Sequence, residues 1–232
     1  KPLPDTLLQD FQHYERALSD ALAGRDPYAI RTIGPAYFYP PPALLFVELF
    51  AHIEPFVLKL AAFYAVNIAL LALMVHAVAK QYGFAWRSVW HWYVLCLGFA
   101  PFLELMHIGQ INVVTLFGIL SLFLQEATAP VLAGTGLALA IATKVTPLFF
   151  LGYLFVHKRG KVIAATIGMI ALLLLLSGLR YGIAPLLTYP DVFGELLQEF
   201  PINPNSQSFV SKIAVANTHQ FQALLSQLPT SD

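Results

Sequence analysis

The chain has 232 residues, of which 58% are hydrophobic and 11% charged, with a formal net charge of zero. About a quarter of the residues of a soluble domain are charged, so this composition excludes an ordinary water-soluble globule and identifies an integral membrane protein. Zero net charge argues against nucleic acid as a partner, because phosphate-binding chains carry a basic excess.

The single cysteine, Cys96, lies in an apolar run, so no internal disulfide can form. The chain opens on Lys1 with no basic start and apolar h-region, so no signal peptide is expected. It is expected to be a fragment, with a span before Lys1 and further spans after Asp232.

The first element is an amphipathic helix. Leu7, Leu8, Phe11, Tyr14, Leu18 and Leu22 recur at three- and four-residue intervals and lay one apolar stripe along it. Thr6 with Gln9 makes a capping-box pattern that sets its start, and Gly24 ends it. Asp10 is three residues from His13 and four from Tyr14, so they share a helix edge where an aqueous loop meets the membrane surface. Asp26, Pro27 and Tyr28 form a turn, and Tyr37, Phe38, Tyr39 and three prolines hold the backbone extended.

Pro41 to Ile53 is a short apolar helix of about 13 residues, about 20 Å long, too short to cross a hydrocarbon core of about 30 Å. Leu60 to Ala79 is uncharged over about the 20 residues a span needs, and ends at Lys80. Trp86, Arg87, Trp90 and Trp92 mark an interface. Ser88 to Leu105 returns across the membrane and stops at Glu104, Met106 and His107. Gly109 to Gln125 crosses again, opening with Gln110 and Asn112, which are costly in lipid and so face protein or an aqueous cavity.

Pro130 to Thr143 is rich in glycine and alanine, suited to close helix contacts, and runs into Lys144 and Pro147. Pro147 to Val156 is apolar and ends in the run His157 to Lys161, and Val162 to Leu179 is a further uncharged crossing. Past Arg180, Val192, Phe193, Leu196, Leu197 and Phe200 outline an interfacial amphipathic helix, and Asn203 to Ser208 a polar turn.

Positive residues favour the cytoplasmic side, which puts Lys80, Arg87 and the Lys158 to Lys161 cluster inside. Inside loops are joined by an even number of crossings. Pro130 to Val156 is therefore expected to go out and come back as two short helices hinged at Lys144 to Pro147, rather than run as one helix of about 27 residues. The hinge brings the opening loop, Glu104 to Asn112, Lys144 and the loop after Arg180 to one outer face. The expected fold is an all-α polytopic membrane bundle in three parts: an outer-face catalytic loop at 1–40, transmembrane helices at 41–180, and an outer-face loop with an interfacial helix at 181–232.

Four polar groups converge on that face: Asp10 with His13; Glu104 with His107 and Gln110; Lys144; and Asn205 to Ser208. A carboxylate to take a proton from an acceptor hydroxyl, and a cation to hold a leaving phosphate, are what glycosyl transfer from a lipid phosphate requires. Lys144 suits the second role, since a lysine in an apolar segment usually has a partner or substrate, although snorkelling to headgroups accounts for it equally well. Asp5, Asp20 and Asp26 compete with Asp10, and the histidines are more often structural hydrogen-bonders. Glu48 and His52, four apart, are too few for a metal site. No glycine-rich phosphate loop, nucleophile elbow or cysteine-histidine metal pattern is present in the sequence.

The segments "DFQHY" (10–14), "GRDPY" (24–28), "YFYPPPALLF" (37–46), "GQIN" (109–112), "GLALAIATKVTP" (136–147) with its basic turn, and "NSQS" (205–208) follow one another in the chain. In that order they resemble glycosyltransferase family 87, polytopic GT-C enzymes known as polyprenyl-phosphate-mannose-dependent alpha-mannosyltransferases. The resemblance runs to about Lys212. It implies inverting transfer of a hexose, mannose, from a lipid monophosphate carrier to a lipid or glycan acceptor, without nucleotide sugar, metal or cofactor, in the inner (plasma) membrane.

It implies further that the loop aspartate acting as general base falls on Asp10, with Tyr14 and the Gly24 to Tyr28 turn shaping the site. Lys144 would lie near the donor phosphate, and Gln110 and Asn112 would hydrogen-bond sugar or phosphate. His13, Asp26, Tyr28, His107, Asn205 and Gln207 complete the expected substrate-binding set. The chain departs from the family in lacking the first span and the C-terminal spans, which puts the activity of this piece alone in question. A lipid-linked-sugar flippase or secondary transporter, with Lys144 and broken helices lining a pathway, is the alternative, and a non-catalytic scaffold a third. The transferase cannot lose its loop base, whereas the transporter has no use for one.

Overall fold

The computed structural model describes residues 8–29 and 37–199, and among these every regular element is helical. In chain order they are α1 (Gln9–Leu22), α2 (Ala43–Ala51), α3 (Phe56–Gln81), α4 (Trp86–Leu97), α5 (Ala100–Ile108), α6 (Asn112–Gln125), α7 (Pro130–Thr143), α8 (Phe150–Val156), α9 (Gly160–Tyr181) and α10 (Ala184–Glu199). A 3-10 turn at Thr146–Phe149 leads into α8. This is an all-α membrane bundle. Helices α3 and α9, about 39 and 33 Å long, are long and apolar enough to cross a bilayer.

The expected return crossing at Ser88 to Leu105 is not one helix: α4 and α5 meet at a 56° bend. Phe99 is extended there, and Pro101 in the first turn of α5 has no N–H to offer the Leu97 carbonyl. Other boundaries move for similarly local reasons. Helix α3 starts at Phe56, ahead of the uncharged run, and so includes Lys59. Helix α2 has nine residues. Helix α6 starts at Asn112, because Gly109 takes a left-handed conformation (φ 80°).

Helices α6, α7 and α9 form the core, α6 antiparallel and α9 parallel to α7. A Cβ on Gly118 would stand 2.2 Å from the Gly136 carbonyl oxygen, and one on Gly134 would stand 2.6 Å from Ala165 Cβ in α9. Lipid is as apolar as the helices, so association depends on such close packing of small residues rather than on exclusion of water. Within this contact the Thr115 and Thr143 hydroxyls share a buried hydrogen bond of 2.8 Å.

The hinge lies where the sequence places it. Helix α7 ends at Thr143, Lys144 is extended (φ −158°, ψ 130°), and the chain turns back through the 3-10 turn and α8. On the way back Phe150 and Tyr153 pack on Phe123, with ring centroids 5.2 and 5.7 Å apart. The Tyr153 hydroxyl then donates to Glu126 Oε1 (3.3 Å) just past the end of α6, which Arg159 also approaches (3.5 Å). One helix from Pro130 to Val156 is excluded.

The bundle therefore has two ends. Helix α3 runs in the same direction as α6, with Leu71 in one cluster with Val113, and Met74 to Ala77 beside Leu120 to Gln125. Lys80, Arg87 and the Lys158 to Lys161 run follow at the far end of α6. At the other end stand the start of α6, Lys144 after α7, Arg180 of α9, and a cap made by α1, the tyrosine-rich turn and α2.

The apolar stripe of α1 forms, with Phe11, Tyr14, Ala17, Leu18 and Ala21 buried. Protein rather than headgroups covers it: the Phe11 ring packs on Phe50 of α2 (6.1 Å) and Phe63 of α3 (5.4 Å). The helix begins not at a capping box but after Leu8, which is left-handed (φ 54°) and makes no side-chain cap; Thr6 and Leu7 lie outside the described residues. Leu22 is exposed, beyond the last buried turn.

The chain divides into two compact units, 1–187 and 188–232. In the described part of the second, Tyr189 stacks on Phe193 (6.3 Å) and Val192 is buried. Helix α10 covers Val192 to Leu197 of the expected interfacial helix but starts at Ala184 and continues through Pro190, and Phe200 lies outside the described residues.

Candidate active site

The N-terminus of α1 is docked onto the turn between α5 and α6. The Leu8 N–H donates to the His107 carbonyl (2.8 Å), and Gly109 packs so closely under α1 that an added Cβ would stand 2.9 Å from Phe11 Cβ and 3.1 Å from Leu8 Cα. Glycine at 109 thus serves two needs, a positive φ and the absence of a side chain. This docking sets Asp10 directly over Gln110.

The Gln110 amide donates from Nε2 to Asp10 Oδ2 (2.8 Å), joining residues 100 apart in sequence, and Asn112 Nδ2 donates to Gln110 Oε1 (2.5 Å). A polar relay runs from the start of α6 to a carboxylate on α1. Two polar groups beside it have no hydrogen-bond partner among the described residues: Asn112 Oδ1, and both ring nitrogens of His13, all shielded from solvent. Burial lowers the His13 pKa, against the pull of Asp10, so its imidazole is neutral near pH 7.

Behind the carboxylate lies a cluster of tyrosines. Tyr14 contacts Tyr37 (6.1 Å) and Tyr39 (4.9 Å), and Tyr28 lies 5.5 Å from Tyr37. Burial, with the Tyr39 phenol and Asp10 adding to it, pushes the Tyr14 pKa far up. Burial likewise raises that of Tyr39 to about 12, with Asp10 adding and the Tyr14 contact opposing. Both remain neutral phenols. The Gly24 to Tyr28 turn is built locally: Asp26 Oδ1 accepts from the Tyr28 N–H (3.0 Å), and the fully buried Tyr28 hydroxyl donates to the Tyr39 carbonyl (2.9 Å).

Lys144 is placed through the helix pair. Thr143 bonds to Thr115, three residues or about 4.5 Å along α6 from Asn112, so the exposed Lys144 stands at the same end as Asp10, Gln110 and Asn112. Glu104 and His107 have exposed side chains, and His107 enters the site through its carbonyl. Asn205 and Gln207, like Ser206 and Ser208, lie outside the described residues.

Among the ion pairs of the cap that escape the sequence reading, two tie it to the long helices α3 and α9. Lys59 is buried, 6% exposed, with Nζ 2.6 Å from Glu15 Oε1. Glu48 accepts from Arg180 through Nε (2.9 Å) and Nη2 and from the Tyr181 hydroxyl (2.7 Å), leaving His52 at 3.8 Å. The Arg180 bond, opposed by burial and helped by Tyr181, holds the Glu48 pKa low. Glu48 is thus bound to α9 rather than shared with His52 as a ligand pair. The signal for Lys59 is a lone cation one residue outside the uncharged run that begins at Leu60.

One end of the helical membrane bundle thus carries a protein-covered cap, a carboxylate held by Gln110 and the exposed Lys144. The family comparison matches residues 37–228 to glycosyltransferase family 87. The chain belongs to that family, and is a membrane glycosyltransferase. The matched span holds Gln110, Asn112 and Lys144 and begins after α1, so Asp10 precedes it. No curated protein and no solved structure matches the chain.

Proposed function

We propose that this transferase moves a hexose, mannose, from a polyprenyl-phosphate carrier to a hydroxyl of a lipid or glycan acceptor, with inversion, using Asp10 as general base. The observation that carries the reading is the hydrogen bond from Gln110 to Asp10, which holds one carboxylate of the cap by a side chain of the bundle. Gln110 occupies Oδ2 and orients the group, and Oδ1 takes the acceptor proton. The acceptor oxygen attacks the anomeric carbon as the bond to the phosphate oxygen breaks on the opposite face, and the carrier leaves as its monophosphate with the bonding pair.

Lys144 offsets the charge that develops on that phosphate. Asn112 Oδ1 and the neutral His13 are buried polar atoms whose desolvation cost of about 1–3 kcal/mol each is recovered by bonding sugar hydroxyls. Asp26, Tyr28 and Tyr14 shape the wall behind the base, and His107 lies at its rim. Asn205 and Gln207 are assigned to the same substrate. The gathering of Lys80, Arg87 and Lys158 to Lys161 at the opposite end supports a multi-pass protein of the plasma membrane with Asp10 on the outer face.

The test uses full-length protein in isolated membranes supplied with radiolabelled polyprenyl-phosphate mannose. At matched expression, Asp10→Asn is expected to lower transfer by about 100- to 10,000-fold, the usual contribution of a positioned base. Transfer by the variant at the wild-type rate rules Asp10 out.

A further inference from the structure

The apolar stripe of α1 fixes which face of the helix turns inward but not where the helix sits along its axis, because apolar contact is non-directional. Axial position is set by directional contacts, and two of them flank the bond from Gln110 to Asp10. One is the bond from the Leu8 N–H to the His107 carbonyl. The other, seven residues or about 10 Å further along, is the bond of 2.6 Å from Lys59 Nζ to Glu15 Oε1. Asp10 lies between these two pins.

The second pin is unusual in its cost. Lys59 is 6% exposed on a helix long and apolar enough to span the membrane, where a charge survives only with a partner. A well-packed apolar residue would do as well for stability alone.

We propose that Lys59 is a positioning residue for the reaction: through Glu15 it holds α1 at the axial position that keeps the Asp10 carboxylate on Gln110. The inference rests on Asp10 being the base. Replacing Lys59 lets α1 slide, and a displacement near 1 Å at a reacting group costs on the order of 100-fold in rate. Because Lys59 touches no substrate, the loss appears in kcat, with KM for the donor held within about twofold.

The experiment compares full-length wild type, Lys59→Met, Glu15→Gln, the double variant, and the exchange Lys59→Glu with Glu15→Lys, all in nanodiscs. Two readouts are taken: transfer from polyprenyl-phosphate mannose, and hydrogen exchange of the α1 amides against those of α6 and α7. Each single variant is expected to lose at least tenfold in kcat, the double no more than either single, and the exchange to recover most of the rate, as two groups acting as one unit require. Exchange in α1 rises in the singles, while α6 and α7 stay protected.

Singles with wild-type kcat overturn the proposal, as does an exchange variant whose α1 is protected but whose rate is not restored. Loss of protection in α6 and α7 as well overturns it in favour of a purely structural lysine. If wild type itself transfers nothing while α1 responds as described, the transferase reading of the site fails and the pinning of α1 stands.

Discussion

The docking of α1 on Gly109 is the most sensitive point in the site. Gly109→Ala meets two obstacles. A non-glycine residue at φ 80° costs roughly 1–2 kcal/mol, and forcing a methyl group into a closed contact typically costs about 1–3 kcal/mol more. The new Cβ would stand 2.9 Å from Phe11 Cβ, and restoring an ordinary contact of 3.4–4 Å requires α1 to retreat by about 0.5–1 Å. Retreat stretches both the Leu8 to His107 bond and the Gln110 to Asp10 bond, each 2.8 Å. A shift of that size predicts a fall in kcat on the order of 100-fold.

Full-length protein in nanodiscs, assayed for hexose transfer and for hydrogen exchange of α1, measures both effects. The control is Gly152→Ala in α8, where an added Cβ meets nothing within 4 Å and the substitution gains about 0.5–1 kcal/mol of helix propensity. If Gly109→Ala turns over within about twofold of the control, with α1 equally protected, the close approach of α1 to this turn does not govern the site.

Four further outcomes follow from the same geometry. Gln110→Leu removes a charge-assisted hydrogen bond worth about 1.5–3 kcal/mol and is expected to lower kcat about 10- to 100-fold, which steady-state kinetics at saturating donor will show. Burial depresses the His13 pKa, so the unfolded cap binds the proton more tightly. Its contribution is complete above the ordinary histidine value of 6.5 and is lost as pH falls below it, so the protection factors of the α1 amides, each rate taken relative to the unstructured-chain rate at the same pH, should be lower at pH 5.5 than at 7.5, and His13→Gln should flatten that dependence.

Gly118→Ala forces α6 from α7, with a Cβ 2.2 Å from the Gly136 oxygen, and should cost at least about 2 kcal/mol, seen as loss of monodisperse protein, whereas Gly168→Ala, in open space, should not. A cysteine at Gly160, in a Cys96→Ala background, should resist impermeant thiol reagents applied to intact cells. Labelling there would invert the orientation proposed from the basic residues.

What the sequence reveals and what it hides divide by range. The stripe of α1, the small residues of α7 and the break at Lys144 are legible because periodicity, close-packing residue types and a cation before proline act over a few residues. The tie between Asp10 and Gln110 became visible only as two polar positions assigned to one face, since nothing in either segment specifies that Gln110 Nε2 reaches Oδ2. The pairs Lys59 with Glu15 and Arg180 with Glu48 were hidden, because each joins a cation at the edge of an apolar run to a carboxylate 44 or 132 residues away. The bend at Gly98 and Phe99 was readable in principle from Pro101, but the apolar run continues across it, and hydropathy is blind to direction.

The cap is part of the membrane fold rather than a loop resting on it. Helix α3 starts at Phe56, yet it meets the first turn of α6 only at the level of Leu71, 15 residues or about 22 Å along. Helix α6 has 14 residues, about 21 Å, and leaves the rest of the membrane depth above its start unfilled. Helix α1 occupies that recess, with Phe11 against Phe63 of α3. Two stretches of non-helical backbone, at Gly109 to Ile111 and Lys144 to Val145, occur at this level, and lipid would leave their amide groups unsatisfied. They are tolerable only where protein roofs them or a polar substrate enters. The Asp10 carboxylate is carried on that roof and held by Gln110 at the first of these chain breaks, so the packing that covers the recess also fixes the carboxylate's position.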